Sequence, residues 1–262
     1  MVHYLRILRL FWSASLAAEL EYRVQFLVAS LASVMSISGA IFTFYLLFRT
    51  GGTAGVGGWD WHQAMLVLGM FTMLDGMSST LLSPNLSRIV QHVQMGTLDF
   101  VLLKPVDSQF WVSLRTFSPW GLPNIVLGAA LLVYAGWSLE LRAINLVAGL
   151  GPVLLGVLVL YSLWFIVAAM SIWFVKVYNA TEVLRNLLEA GRYPLAWYPL
   201  PWQFVFTFVI PVAFLTTVPA EAILGRAETS WLISGAALAV GLFLFARYFW
   251  RFALRYYTSA SS

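Results

Sequence analysis

The chain contains no cysteine, which excludes disulfide staples, thiolate chemistry and cysteine-based metal sites. Lysine is almost as scarce: Lys104 precedes Pro105, and Lys176 precedes Val177. A phosphate-cradling P-loop closes on Gly-Lys-Ser/Thr, so neither lysine can complete one, and the chain has no such ATP site of its own. His3, His62 and His92 lack the spacing that places two imidazoles on one helix face. Asp60, Asp75, Asp99 and Asp107 are scattered, without the repeated acidic pattern of a metal or acid–base site. Charge as a whole is sparse, at 10% of 262 residues against 61% hydrophobic residues. With a mean hydropathy of +0.83, the composition does not fit a soluble core, and lipid must be the solvent.

Apolar runs near the roughly 20 residues that cross a hydrocarbon core recur along the whole chain. They predict one all-α polytopic membrane domain over 1–262, with six transmembrane helices at about 24–48, 65–83, 120–137, 144–175, 204–218 and 231–249. Residues 1–23 intersperse Arg6, Arg9 and Arg23 with Leu5, Leu8, Phe11, Trp12 and Leu16, the pattern of an interfacial helix lying on the bilayer. The run 144–175 is too long to stand upright, so it must tilt, project or kink near Gly151-Pro152. The run 204–218 is short, bounded by Pro201 and Pro219 and interrupted by Pro211, which predicts a re-entrant segment over 211–224 between spans five and six. Ala29, Ala32, Ser33, Ser36 and Ala40 form a small-residue stripe suited to close helix packing. Trp59, Trp61, Trp120, Trp137, Trp202, Trp231 and Trp250 fall near span ends, where an indole wets its N–H and buries its ring.

A net charge of +4 dispersed over many loops fits a partner that is a bilayer and not a nucleic acid. Lys and Arg near span ends stay on the cytoplasmic side. With both termini inside, twelve cations, Arg185 and Arg192 among them, fall on the inner segments, and only Arg49, Arg142 and Arg226 fall outside.

Asp75, beside Thr72, Ser78, Ser79 and Thr80, stands nearly alone as an ionisable group within a span, which marks it as a pathway residue or as an acid bonded to neighbouring hydroxyls. After the second span, Ser83-Pro84 gives N-cap and N1 signals for a short amphipathic helix lying beneath the bilayer. Leu86, Ile89, Val90 and Val93 share its apolar face, Arg88 and His92 its polar one, and Gly96 can end it. A second such helix is expected in the inner loop after span four, with Asn179 and Glu182 as a capping pair and Val183, Leu184, Leu187 and Leu188 as its apolar face.

Gln94-Met95-Gly96-Thr97-Leu98-Asp99, followed by Leu102-Leu103-Lys104-Pro105-Val106, resembles the Gly-Thr-Leu-acid and Leu-Leu-x-Pro-Val stretch of type 2 ABC exporter permeases. Arg192-Tyr193-Pro194 and 208–214 resemble the small bacterial group of that family, whose members have about 260 residues. The resemblance implies a membrane-spanning permease in a bacterial cytoplasmic (inner) membrane, with a coupling helix after span two. It implies as partners a separate ATP-binding subunit, which binds the ATP and Mg, and a second permease, identical or related. No cofactor is implied for this chain. Leu86, Arg88, Ile89, His92, Val93, Gly96, Thr97 and Asp99 become the candidate contacts with the ATPase. An ion-coupled carrier, or a membrane enzyme that modifies lipids, is the alternative.

Overall fold

The computed structural model describes residues 2–19, 23–50, 56–174 and 177–257. The described residues are helices joined by short turns and links, with no strand among them beyond an isolated β-bridge between Val56 and Trp59. In chain order the α-helices are α1 (Val2–Glu19), α2 (Arg23–Thr50), α3 (Trp61–Met77), α4 (Ser83–Gln94), α5 (Asp99–Leu102), α6 (Ser108–Leu114), α7 (Leu122–Ser138), α8 (Ala143–Ala169), α9 (Val177–Leu188), α10 (Leu200–Phe204), α11 (Thr217–Ile223) and α12 (Thr229–Leu254). Those long and apolar enough to cross a bilayer lie at Val24–Thr50, Trp61–Gln94, Pro119–Ser138, Val147–Ile172 and Thr229–Leu254, and the bent pair Leu200–Val209 and Val212–Ile223 forms either a broken span or a re-entrant loop.

Asp60 starts α3 through a capping box with Gln63. The helix does not stop at Ser83-Pro84. It runs from Trp61 to Gln94 through one π-helical turn, Ser78–Leu82, so α4 is the extension of the second span and not a separate surface helix. Thirty-four residues at about 1.5 Å each measure about 51 Å, well beyond a hydrocarbon core of about 30 Å. The missing N–H of Pro84 leaves the carbonyl of Thr80 without its helical donor. The backbone N–H of Ser118 fills that gap at 3.0 Å. One turn on, Asn85, 2% exposed, donates to the carbonyls of Leu81 and Thr116 at 2.6 and 2.7 Å and accepts from the Thr116 N–H at 2.8 Å. These bonds fasten the strap between α6 and α7 against the helix.

α3 and α7 then pack antiparallel with almost no side chain between them. A Cβ at Gly76 would stand 2.6 Å from the Ile125 nitrogen and 2.7 Å from the Gly121 carbonyl, and one at Gly128 would meet the Met73 nitrogen at 2.5 Å. α8 passes through Pro152 without a break and pairs along its length with α12, Phe165 meeting Trp250 edge-on at 5.4 Å. Below them α6 is tied to both: Arg247 bonds Asp107 at 3.1 Å, Trp250 donates to Ser108 at 3.0 Å, and Ser113 meets the Tyr161 hydroxyl at 2.8 Å.

The segment assigned to an inner loop after span four lies elsewhere. Leu184 and Leu188 of α9 join the core with Val159, Leu160 and Trp164. The guanidinium of Arg192 lies over Phe71, halfway along α3. Trp197 packs on Phe44 and Phe48 and donates to the Val56 carbonyl at 2.7 Å. The chain thus climbs the whole bundle between Val177 and Trp197. Of the expected helix there, Asn179 and Glu182 carry side chains outside the described set, and Val183 points outward. The expected break at Pro211 is present: Ile210 is extended, as a residue before proline must be, and the two arms bend by 72°. Of the small-residue stripe on α2 only Ala40 is buried, so this face is open.

Replacing Asn85 with Ala strands the buried Thr116 N–H, at about 1–3 kcal/mol. The thermal midpoint of the purified protein should fall by several degrees, while Gln91→Ala, on the exposed face, should leave it unchanged. Burial pushes the Asp107 carboxyl up, but the Phe110 N–H and Arg247, with Arg251 beyond, outweigh it and hold the group below its ordinary value. A carboxylate lowered by folding stabilises above its ordinary value of about 3.9 and loses that contribution as pH falls through the folded value. The stability gap between wild type and Asp107→Asn should therefore be constant near neutrality and close below about pH 4.

Candidate functional site

Two groups of residues stand out, one at the α4 end and one at mid-height. At the α4 end the helix closes in a Schellman turn: the Gly96 N–H reaches the Val93 carbonyl at 3.2 Å and the Thr97 N–H reaches that of His92 at 2.9 Å. Gly96 has φ +65°, a left-handed conformation that favours glycine. Thr97 also bonds His92 Nδ1 through its hydroxyl at 2.8 Å.

This turn decides which candidates face outward. Leu86 and Ile89 are 0% exposed and belong to the core, with Val93 packed against it, so the apolar face of α4 looks into the bundle. Arg88 is turned sideways and donates to the Thr116 hydroxyl at 2.8 Å. Asp99 begins α5. The outward surface is instead Gln91 and Gln94 followed by Met95, Phe100 and Leu103, the last three 66%, 68% and 80% exposed. Sequence reasoning missed these because it placed α4 flat beneath the bilayer. Once α4 is an extension of a span, its apolar stripe belongs to the core and the residues beyond its end form the tip.

At mid-height, Asp75 is not alone. It accepts a hydrogen bond from Asn124 at 2.7 Å and lines a cavity of about 40 Å³, with Ser78, Trp164, Arg185, Glu189 and Thr216 around it. Glu189 pairs with Arg192 at 2.8 Å. The indole N–H of Trp164 and Nε of Arg192 are buried without a protein acceptor. A cavity of this size with several polar groups can hold water. Two acids and two cations leave the group neutral, yet each is expensive against hydrocarbon. The ion pair and the cavity offset that cost. The sequence signal that would have found this group is the run of charges at Arg185, Glu189 and Arg192 at intervals of four and three, which puts them on one helical face.

The family model described as ABC-2 family transporter protein matches residues 34–261. No curated protein and no solved structure matches the chain.

Glu189 and Arg192 are partly exposed, so their coupling should be about 1 kcal/mol. In a double-mutant cycle, Glu189→Gln and Arg192→Gln should each lower the thermal midpoint, and the double variant should lose less than the two losses added. Strict additivity would show that the pair has no energetic meaning.

Proposed function

The chain belongs to the ABC-2 transporter family, and on that premise we propose that it is the permease subunit of an ATP-driven exporter in a bacterial cytoplasmic membrane. Membership makes it a membrane component that works with an ATP-binding subunit. In the finer reading, the α4 end faces the cytoplasm and docks on that subunit, which holds ATP and Mg, and a second permease, identical or related, completes the pathway. Val177–Trp197 is then the fifth crossing, Leu200–Ile223 dips in from the outer side, and both termini lie inside. Moving Arg185 and Arg192 off the inner side still leaves ten cations inside against three outside, so the orientation stands.

The observation that carries this reading is the apolar tip of Met95, Phe100 and Leu103 at the end of a helix continuous with a membrane span. Monomeric soluble surfaces seldom show large adjacent apolar side chains without a partner. A movement of the ATPase against that tip passes along α4 through the π-helical turn to α3, and so to Asp75 and its cavity. Nucleotide supplies the bias between two arrangements of the bundle, and this chain transmits it. The cavity group would then line the half-pathway.

The same group favours a second reading, an ion-coupled carrier in which Asp75 or Glu189 takes up a proton or cation. The two diverge in their energy source. Co-expressed with the ATP-binding subunits of its host, wild type should bring one of them down, and Met95→Glu/Leu103→Glu should lose it while folding normally. If no ATPase co-purifies and transport follows an ion gradient, the carrier reading replaces the exporter.

A further inference from the structure

A groove of about 390 Å³ opens between α1 and the α4–α6 corner, and none of the roles above uses it. α1 is fixed across this corner by Trp12, which donates to the Leu114 carbonyl at 3.1 Å, and by Phe11, which meets Trp111 edge-on at 4.8 Å. One wall of the groove is apolar, from Leu10, Phe11 and Ala14 of α1. The opposite wall carries Arg88 and Arg115. Arg88 is oriented by its bond to Thr116, and Arg115 lies over Trp111 with its guanidinium carbon 5.5 Å from the ring centre. Lys104 Nζ is 6.0 Å from the same ring. Glu19 is the acid among the lining residues, so the two arginines leave the groove cationic.

A smaller lobe continues inward past the same arginines to His92 and Asn85. Nδ1 of His92 is already engaged by the Thr97 hydroxyl at 2.8 Å, and the anion-attracting role falls to the arginines. Away from the groove α1 exposes Leu5 and Leu16, the face an interfacial helix lays into acyl chains. The groove therefore lies at the level where phosphate headgroups meet hydrocarbon.

We propose that this groove is a binding site for an anionic phospholipid, whose phosphate is held by Arg115 and Arg88 and whose acyl chain lies along Leu10, Phe11 and Ala14 of α1. Arginine suits the task because its planar fork pairs with phosphate oxygens at two points. Occupancy ties α1 to the α4–α6 corner through the lipid itself. The strap held by Asn85 would then be buttressed from the membrane side.

The test uses the full chain purified in detergent, with native mass spectrometry counting bound phosphatidylglycerol in a titration. Removing one cation should weaken the site about fivefold, the value of roughly 1 kcal/mol per Lys or Arg beside an anionic surface. Arg115→Gln should show that loss, and Arg226→Gln, at the other end of the bundle, should not. Glu19→Gln should tighten binding, which keeps the proposal testable if Arg115→Gln fails to fold. Phosphatidylcholine should bind more weakly than phosphatidylglycerol, and inorganic phosphate at millimolar concentration should not displace the lipid. Equal binding by wild type and Arg115→Gln, equal binding of the two lipids, or displacement by inorganic phosphate would each overturn the assignment.

Discussion

Pro84 deprives the carbonyl of Thr80 of its helical donor, and the arrangement of the α4 end follows from how that carbonyl is satisfied. In lipid an open backbone group costs several kcal/mol, so a proline inside a spanning helix must recruit another donor. Here the recruit is the Ser118 N–H. To deliver it, the chain beyond α6 must lie flat against the helix, and Asn85 holds it there from two sides. The same contact sets the start of α7, because Pro119 follows at once and opens the turn that leads into it. A residue that reads as a helix start in the sequence thus serves in the structure as the joint between two spans.

The mid-height charges follow a similar logic of compensation. Arg192 reaches Glu189 and the face of Phe71, Asp75 takes a proton donor from Asn124, and the remainder opens on a cavity instead of on acyl chains. Each of these groups alone would be costly beside hydrocarbon. Their sum is neutral, so the bundle carries polarity across its middle without carrying net charge. A polar seam of this kind is compatible with a helix pair that must separate and close again, since water can replace each bond as it breaks.

The spans with long apolar runs were legible from hydropathy, as were the break at Pro211 and the Gly96 cap, because each rests on a local rule. The passage of the chain through the bundle between Val177 and Trp197 was not. Arg185, Glu189 and Arg192 lower its hydropathy to that of a loop, and the pairing of Glu189 with Arg192 is visible only in the fold. The outward face of α4 was also missed. An amphipathic stripe gives the same pattern whether it lies on a membrane or against a bundle, and the choice depends on whether Ser83-Pro84 ends a helix or is bridged by a π-helical turn. Gly69, Gly76, Gly121 and Gly128 were passed over because glycine in a span reads as neutral until its partner helix is known, whereas the small residues of α2 formed a visible stripe that the fold leaves largely uncovered.

The glycine seam also limits where the molecule can bend. With backbone meeting backbone at Gly76 and Gly121, a slide of α3 along α7 would drive a Cβ into a carbonyl at the next register, so the two helices can travel only as one body. The hinges must then sit where helical hydrogen bonding is already interrupted. Two such places are the end of α8, where the chain loosens into a 3₁₀ turn at Met170–Ile172, and the extended link at Ile210-Pro211. They lie at opposite ends of the segment that contributes Arg185, Glu189 and Arg192. A rotation about both would swing that segment against a fixed α3–α7 frame and open the cavity beside Asp75, at the cost of the Arg192–Phe71 contact and of the packing of Leu184 and Leu188.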